Sequence, residues 1–149
     1  MALSKTVQTA LNDQIGREFY SAYLYLSMSA YCASKNLPGF AHWMMLQAKE
    51  EAGHAMKLYG FIEDRSGRVV LQAVDKPPAD FKSALEVVTK VREHEEMVTE
   101  EINKLYALAA TEHDYATQIF LEWFLTEQVE EEKNSTQLVE RLRMVGDNQ

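Results

Sequence analysis

Apolar residues recur at steps of three and four along four long stretches of the chain. This is the spacing of an α-helix that buries one face, so the pattern predicts four long amphipathic helices. The apolar positions of the second stretch are Phe40, Met44, Leu58 and Phe61. The same steps place Glu51 and His54 among them, so a carboxylate and an imidazole are predicted to point where the helix buries its apolar face.

The other three stretches carry similar polar interruptions. The first contains Glu18, and the fourth contains Gln128 and Glu131. The third contains Glu95, among the apolar positions Leu85, Val88, Val98 and Ile102. Unpaired buried carboxylates cost several kcal/mol each, and these stripes hold no Lys or Arg near the acids. The sequence therefore predicts a bound polyvalent cation.

Capping and turn residues give the helix bounds. The predicted helices run over about residues 5–34, from a turn at 36–39 to about Arg65, from near Asp80 to near Ala110, and from a turn at 111–114 to about Val145. Ser4 is the predicted N-cap of the first helix. Gly67 and Gly146 are predicted to lie just beyond the second and the fourth.

The segment 67–79 is predicted to be extended, because Pro77 and Pro78 exclude helix and Val69, Val70 and Leu71 favour extended chain. About 13 extended residues reach roughly 43 Å, close to the length of one of these helices. The second and third helices can then be parallel. The predicted fold is all-α, an antiparallel four-helix bundle with one long crossover between the second and third helices.

The polar groups that interrupt the four apolar faces also lie at similar positions along their helices, since each is near the middle of its helix. They would therefore meet at one level in the bundle core, an arrangement typical of ferritin-like di-metal carboxylate proteins. Glu51-x-x-His54 alone is as typical of a surface pair as of a pair of metal ligands. The matching polar interruptions on the other three helices favour metal ligands. Carboxylate oxygens with one imidazole suit iron or manganese better than copper. Gln128 offers a neutral carbonyl oxygen, so two unequal metal positions are predicted.

Further candidate residues have two interpretations. Glu50, Glu127 and Glu130 are either surface acids or a third, weaker cation position. Tyr25 lies on the face of Glu18 and either fills the core or donates an electron or a hydrogen bond, as could Trp123. The remaining histidines lack a second ligand at suitable spacing and are predicted to be exposed; they are His42, His94 and His113.

Composition narrows the class of protein. The chain has 149 residues, which suits one domain over residues 1–149, and a formal charge of -8. That charge disfavours nucleic acid and anionic membranes as partners. The lone Cys32 excludes an internal disulfide, and no apolar run reaches the roughly 20 residues that span a bilayer. A cytoplasmic protein is predicted.

Four segments resemble non-haem ferritins of the bacterial and archaeal type. They are NDQIGREFYSAYLYLSMSAY around Glu18 and Tyr25, GFAHWMMLQAKEEAGHAMKLY around Glu51 and His54, HEE at Glu95, and FLEWFLTEQVEEE around Gln128 and Glu131. The resemblance covers essentially the whole chain. A haem-binding bacterioferritin would carry a second Glu-x-x-His and a haem-binding Met, where this chain has Gln128-x-x-Glu131 and Ala52.

The resemblance implies a set of ligands for each iron. Glu18, Glu51 and His54 would bind the first iron, and Glu51, Glu95 and Gln128 the second, with Glu131 near both. Glu50, Glu127 and Glu130 would form the third site, and no haem is expected. Such ferritins oxidise Fe(II) with oxygen or hydrogen peroxide and store ferric mineral in a shell of 24 subunits. Their fifth helix is expected to be absent here.

Self-association is expected from exposed apolar groups. The predicted exposed residues are Tyr20, Leu24, Tyr31, Tyr59 and the segment Val69, Val70 and Leu71. Together they expose more apolar surface than a monomeric protein normally does, so a dimer is the predicted minimum unit. The alternative to a ferroxidase is a non-catalytic helical interaction protein whose acids hold a structural metal ion.

Overall fold

The computed structural model describes residues 2–145, which form four α-helices and no strand. The helices are α1 (Lys5–Ser34), α2 (Pro38–Asp64), α3 (Ala84–Thr111) and α4 (Tyr115–Val145). The chain divides into an N-terminal unit that ends at Asp80 and a C-terminal unit that begins at Phe81. The predicted bounds of α1, α2 and α4 are confirmed. Gly146, the predicted residue beyond α4, lies outside the described residues.

The start of α3 corrects the sequence prediction by four residues. The helix is capped by Ser83, whose Oγ accepts a 3.1 Å hydrogen bond from the Glu86 backbone N–H. The Glu86 carboxylate in turn accepts from the Lys82 N–H at 3.1 Å, so both partners fix the helix start here. Leu85, a predicted core residue, is 38% exposed because the buried face of α3 begins with Val87.

The starts of α1 and α4 are capped by side chains, as predicted. Ser4 Oγ accepts from the Val7 N–H at 3.2 Å at the start of α1. Asp114 Oδ1 accepts from the Thr117 N–H at 3.1 Å before α4. Each cap satisfies a backbone donor that has no partner within its own helix. Pro38 occupies the first turn of α2, where its missing N–H costs no helical hydrogen bond.

Helices α1, α2 and α3 are each followed by a residue in the left-handed conformation. These residues are Asn36, Ser66 and His113, with φ of 59°, 56° and 54°. The next backbone N–H donates to the carbonyl five residues earlier, in the pairs Leu37 to Cys32 at 2.9 Å, Gly67 to Ile62 at 2.8 Å and Asp114 to Ala109 at 2.8 Å. All three ends are therefore Schellman motifs built without glycine at the left-handed position.

Helices α1 and α2 form an antiparallel hairpin in the N-terminal unit. Ser29 Oγ donates to the Ala41 carbonyl at 2.7 Å near the connection, and Glu18 and His54 meet further along both helices. The fully buried apolar side chains of this unit include Leu11, Ile15, Tyr25, Met28, Met44, Leu58 and Ile62. The site residues of α1 and α2 are therefore held by a close-packed apolar face on each helix.

The segment after α2, residues 68–80, contains no helix and runs along α1, as the two prolines predict. Asn12 Nδ2 donates to the Arg68 carbonyl at 3.0 Å, and Asn12 Oδ1 accepts from the Val70 N–H at 2.9 Å. Ser27 donates to the Pro78 carbonyl about four turns further along α1. The crossover therefore returns the chain along the length of the α1 and α2 hairpin.

The exposed apolar surface differs in part from the prediction. Val70 and Leu71 on the crossover are exposed, as expected. Leu24 and Tyr31 were expected to be exposed as well, but both are buried. Each follows a buried residue of α1 within one turn, so the buried face of this helix is wider than a single stripe.

Helices α3 and α4 form the hairpin of the C-terminal unit. The connection covers residues 112–114, which is short enough to require antiparallel neighbours. Phe124 of α4 is buried, and its ring lies 5.0 Å from Trp123 and 5.4 Å from Phe120 between ring centroids. Among the described residues, no helix is long and apolar enough to cross a membrane.

Candidate metal centre

The N-terminal unit brings Glu18, Glu51 and His54 together. Glu51 and His54 are one turn apart on α2, and Glu18 comes from the facing side of α1. His54 Nδ1 lies 3.3 Å from Glu51 Oε2 and 3.8 Å from Glu18 Oε2. One ligand atom from each residue lies within 4.8 Å of the others. Two carboxylates and one imidazole therefore converge on a volume that suits a divalent cation.

Burial makes this group costly without a cation. Glu18 is 1% exposed, Glu51 0% and His54 5%. Glu18 Oε2 accepts no hydrogen bond from the described residues. Two carboxylates removed from water at one point repel each other, and one imidazole compensates them incompletely. A divalent cation would supply the missing positive charge and occupy the unused oxygen of Glu18.

The pKa of Glu18 lies below its usual value of 4.5. Burial has the largest influence and by itself raises the pKa. Interactions with His54, Glu51 and Gln14 act in the opposite direction and together outweigh burial. Glu18 is therefore a carboxylate at neutral pH, the form that binds a metal ion.

Gln14 contacts Glu18 from the same helix, and Arg17 in turn contacts Gln14. Gln14 Nε2 donates to Glu18 Oε1 at 3.0 Å, and Arg17 Nη1 donates to Gln14 Oε1 at 2.9 Å. Gln14 is fully buried. Sequence reasoning did not select Gln14, although it lies one turn before Glu18 on the same face. That spacing was the available signal for it.

The C-terminal unit buries Glu95, Gln128 and Glu131, as predicted. Gln128 Nε2 lies 3.1 Å from Glu95 Oε2 and 3.1 Å from Thr99 Oγ1. Because Glu95 and Thr99 take the amide nitrogen, the carbonyl oxygen is the atom that Gln128 can offer to a cation. This agrees with the neutral oxygen ligand expected from the sequence.

Sequence reasoning also missed Thr99. Its Oγ1 lies 3.0 Å from the Glu95 carbonyl and donates to Glu132 Oε2 at 2.9 Å, while accepting from Gln128. Glu132 is half-buried. Thr99 lies one turn after Glu95, so it reaches the same face of α3. A β-branched hydroxyl in a helix has no sequence signal that separates this role from ordinary packing.

The remaining predicted site residues differ in exposure. Glu50 and Glu130 are exposed, and Glu127 is half-buried. Glu127 and Glu130 are one turn apart on α4. Tyr25 is completely buried, two turns after Glu18 on α1, and Trp123 is 38% exposed.

Two of the three histidines without a ligand role are exposed as predicted, namely His42 and His113. The prediction for His94 was wrong, because His94 is buried on α3. Its neighbour Glu95 is buried as well, so the buried face of α3 is wide enough to include two adjacent positions.

Comparison with known proteins identifies the family of this chain. Residues 8–145 match the sequence profile of the Ferritin-like domain family. The chain belongs to this family. A bacterial non-heme ferritin of Campylobacter jejuni is 40% identical over 98% of this chain and 87% of that protein. A bacterial non-heme ferritin of Staphylococcus aureus is 41% identical over 98% of this chain and 88% of that protein.

Solved ferritin structures show the same fold. The open pore ferritin of the hyperthermophilic archaeon Archaeoglobus fulgidus has a TM-score of 0.97 and 47% sequence identity to this chain. The match covers 98% of this chain and 90% of that one. A closed form engineered from the same ferritin also has a TM-score of 0.97. The predicted fold class, a ferritin-like four-helix bundle with one long crossover, is therefore confirmed.

Proposed function

We propose that this ferritin oxidises Fe(II) to Fe(III) at a di-iron centre within each subunit and stores the product as ferric mineral. The observation that carries the proposal is the buried group of Glu18, Glu51 and His54. Its ligand atoms converge within 4.8 Å of one another, and two buried carboxylates at one point favour a bound cation. Its hard oxygen donors with a single imidazole suit iron.

Each iron has its own ligands in this proposal. Glu18, Glu51 and His54 hold the first iron. Glu51, Glu95 and Gln128 hold the second, with Glu131 near both ions. The burial of Glu95, Gln128 and Glu131 supports this assignment, as does the similarity to archaeal ferritins over nearly the whole chain. The neutral ligand is the His54 imidazole at the first position and the Gln128 amide oxygen at the second, so the two positions are unequal.

The reaction follows from the pairing of two ions. Each Fe(II) gives up one electron, and one oxygen molecule accepts both electrons and two protons to form hydrogen peroxide. A ligand set rich in carboxylates favours Fe(III), because anionic oxygens stabilise the higher charge. Hydrogen peroxide is the alternative oxidant. Tyr25 is buried two turns after Glu18 on the same face of α1 and is proposed to donate an electron or a hydrogen bond.

Storage requires further positions for iron and a compartment. Glu50, Glu127 and Glu130 are proposed to form a third, weaker site through which oxidised iron leaves the centre. Their greater exposure supports weaker binding than at the buried ligands. A homo-oligomer, with a dimer as the minimum and a shell of 24 subunits as the full assembly, would enclose the mineral.

Iron loading tests this function against a purely structural metal site. Protein is loaded with Fe(II) without oxygen, exposed to oxygen, and then given many further equivalents of Fe(II) in air. A ferroxidase and store keeps the iron soluble and co-eluting with the protein. A structural site would bind a fixed number of ions and leave the excess to precipitate, which would overturn the proposal.

A further inference from the structure

The Glu18 carboxylate has two oxygens in different surroundings. Oε1 accepts the 3.0 Å hydrogen bond from Gln14 Nε2. Oε2 is buried, accepts no hydrogen bond from the described residues and lies 3.8 Å from His54 Nδ1. One oxygen is therefore held by the protein, and the other faces the proposed iron ligands.

The orientation of the Gln14 amide is fixed by Arg17. A guanidinium has N–H donors and no acceptor, and a carboxylate has acceptors alone. Arg17 Nη1 donates to Gln14 Oε1 at 2.9 Å, so Gln14 Nε2 is the atom left for Glu18. Rotating the amide by half a turn would set donor against donor at Arg17 and acceptor against acceptor at Glu18. Both contacts oppose that rotation.

We propose that Arg17 and Gln14 are positioning residues that hold Glu18 so that it binds the first iron through Oε2 alone. This inference rests on the proposed function in one respect, that Fe(II) is the cation bound by Glu18 and His54. All contacts in the relay lie within α1, from exposed Arg17 to buried Gln14 to buried Glu18. The relay therefore connects solvent to the centre without a residue from another helix.

The relay lowers the cost of binding iron in two ways. Glu18 is already in its binding orientation, so little side-chain freedom is lost when the cation arrives. The Gln14 hydrogen bond also stabilises the carboxylate in a buried setting, where an unsolvated anion is costly. Hydrogen bonds to metal ligands contribute about 10- to 100-fold in metal affinity in other proteins. A loss of that size is expected here.

Anaerobic calorimetry of Fe(II) binding to the full-length apo-protein tests the proposal. The binding event that His54→Ala removes identifies the first iron position. In Gln14→Met, an apolar side chain of similar length, this event should weaken by about 10- to 100-fold while the second event changes little. Gln137→Met, on the exposed side of α4, is the matched control and should bind as the wild type does.

The exposed end of the relay gives an independent pair of variants. Arg17→Met should weaken the same event, and Arg17→Lys, which keeps a cationic donor, should restore most of the affinity. This pair decides the question if Gln14→Met does not fold. Affinity within about twofold of wild type in Gln14→Met, or equal affinity in Arg17→Met and Arg17→Lys, would overturn the proposal.

The assay also separates this inference from the proposed function, because no oxygen is present. A wild type that shows the His54-dependent event but never oxidises Fe(II) would refute ferroxidase activity and leave the relay standing. A wild type without that event would refute the relay directly. A crystal structure with Zn(II) bound adds a geometric readout, with one Glu18 oxygen on the metal in wild type.

Discussion

His54 Nδ1 lies 3.3 Å from Glu51 Oε2, and the two residues are one turn apart on α2. This pair sets the chemistry of the centre, because an imidazole and a carboxylate share one buried helix face with Glu18 opposite. Apolar residues at these two positions would make the metal-free protein more stable. Their presence indicates that the site is built for a cation at the expense of stability of the metal-free protein.

A redox-inactive metal should therefore stabilise the fold. Zn(II) accepts carboxylate and imidazole ligands, and at a hundredfold excess over its Kd it should raise the free energy of unfolding by about 2.7 kcal/mol. Thermal unfolding with and without Zn(II) measures this effect. His54→Ala should lose the part due to the first position, whereas His42→Ala, an exposed histidine on the same helix, should keep it. Equal stabilisation of both variants would contradict the assignment.

The proposed third site predicts a defect confined to later turnovers. In the triple variant Glu50→Ala, Glu127→Ala and Glu130→Ala, the first oxidation should proceed at the wild-type rate. Repeated additions of Fe(II) should then be oxidised more slowly, because iron leaves the centre through these acids. The control is Glu63→Ala, Glu122→Ala and Glu140→Ala, which removes the same charge from exposed positions. Unchanged repeated turnover would show that no third site acts there.

The crossover should depend on Asn12. Asn12→Ala removes the hydrogen bonds of the buried Asn12 side chain to the Arg68 carbonyl and the Val70 N–H, and alanine can form neither of them. The expected loss is about 1–3 kcal/mol in the free energy of unfolding, measured by denaturant titration of the metal-free protein. Trypsin should also cleave after Arg68 faster than in wild type. Asn103→Ala, on the exposed face of α3, should change neither result.

Self-association should depend on the exposed crossover. Leu71 is 64% exposed beside half-exposed Val70, and such apolar groups favour burial against a second copy. Leu71→Asp would place a charge in that contact, so light scattering after size-exclusion chromatography should show smaller assemblies than for wild type. A wild-type protein that elutes as a stable monomer would contradict the proposed shell.

Much of the fold could be predicted because periodicity and capping agree along this chain. Ser4, Pro38 and Asp114 mark helix starts that the structure confirms. The start of α3 was missed because Asp80 and Ser83 are both good caps. The hydrogen bonds from the Glu86 N–H to Ser83 Oγ and from the Lys82 N–H to the Glu86 carboxylate decide between them. The spacing of apolar residues also cannot give the width of a buried helix face. For this reason Leu24 and His94 were predicted to be exposed although both are buried.

The site itself was predictable where charge interrupts an apolar face. Glu18, Glu51, His54 and Glu95 stood out for that reason, and all are buried. Gln14 and Thr99 did not, because neutral polar residues occur on partly buried faces for many reasons. Their roles follow from hydrogen-bond directions, which require side-chain geometry. The supporting contacts of a metal site are therefore harder to find in a sequence than its charged ligands.

The central claim is that paired Fe(II) ions are oxidised at a centre that requires His54. Stopped-flow absorbance, after mixing oxygen with anaerobic protein that carries two Fe(II) per subunit, tests it most directly. Wild type and His42→Ala should both oxidise the two ions in one fast phase that consumes one oxygen molecule per pair. His54→Ala should lack that phase, and a fast phase of wild-type rate and amplitude in His54→Ala would contradict the claim.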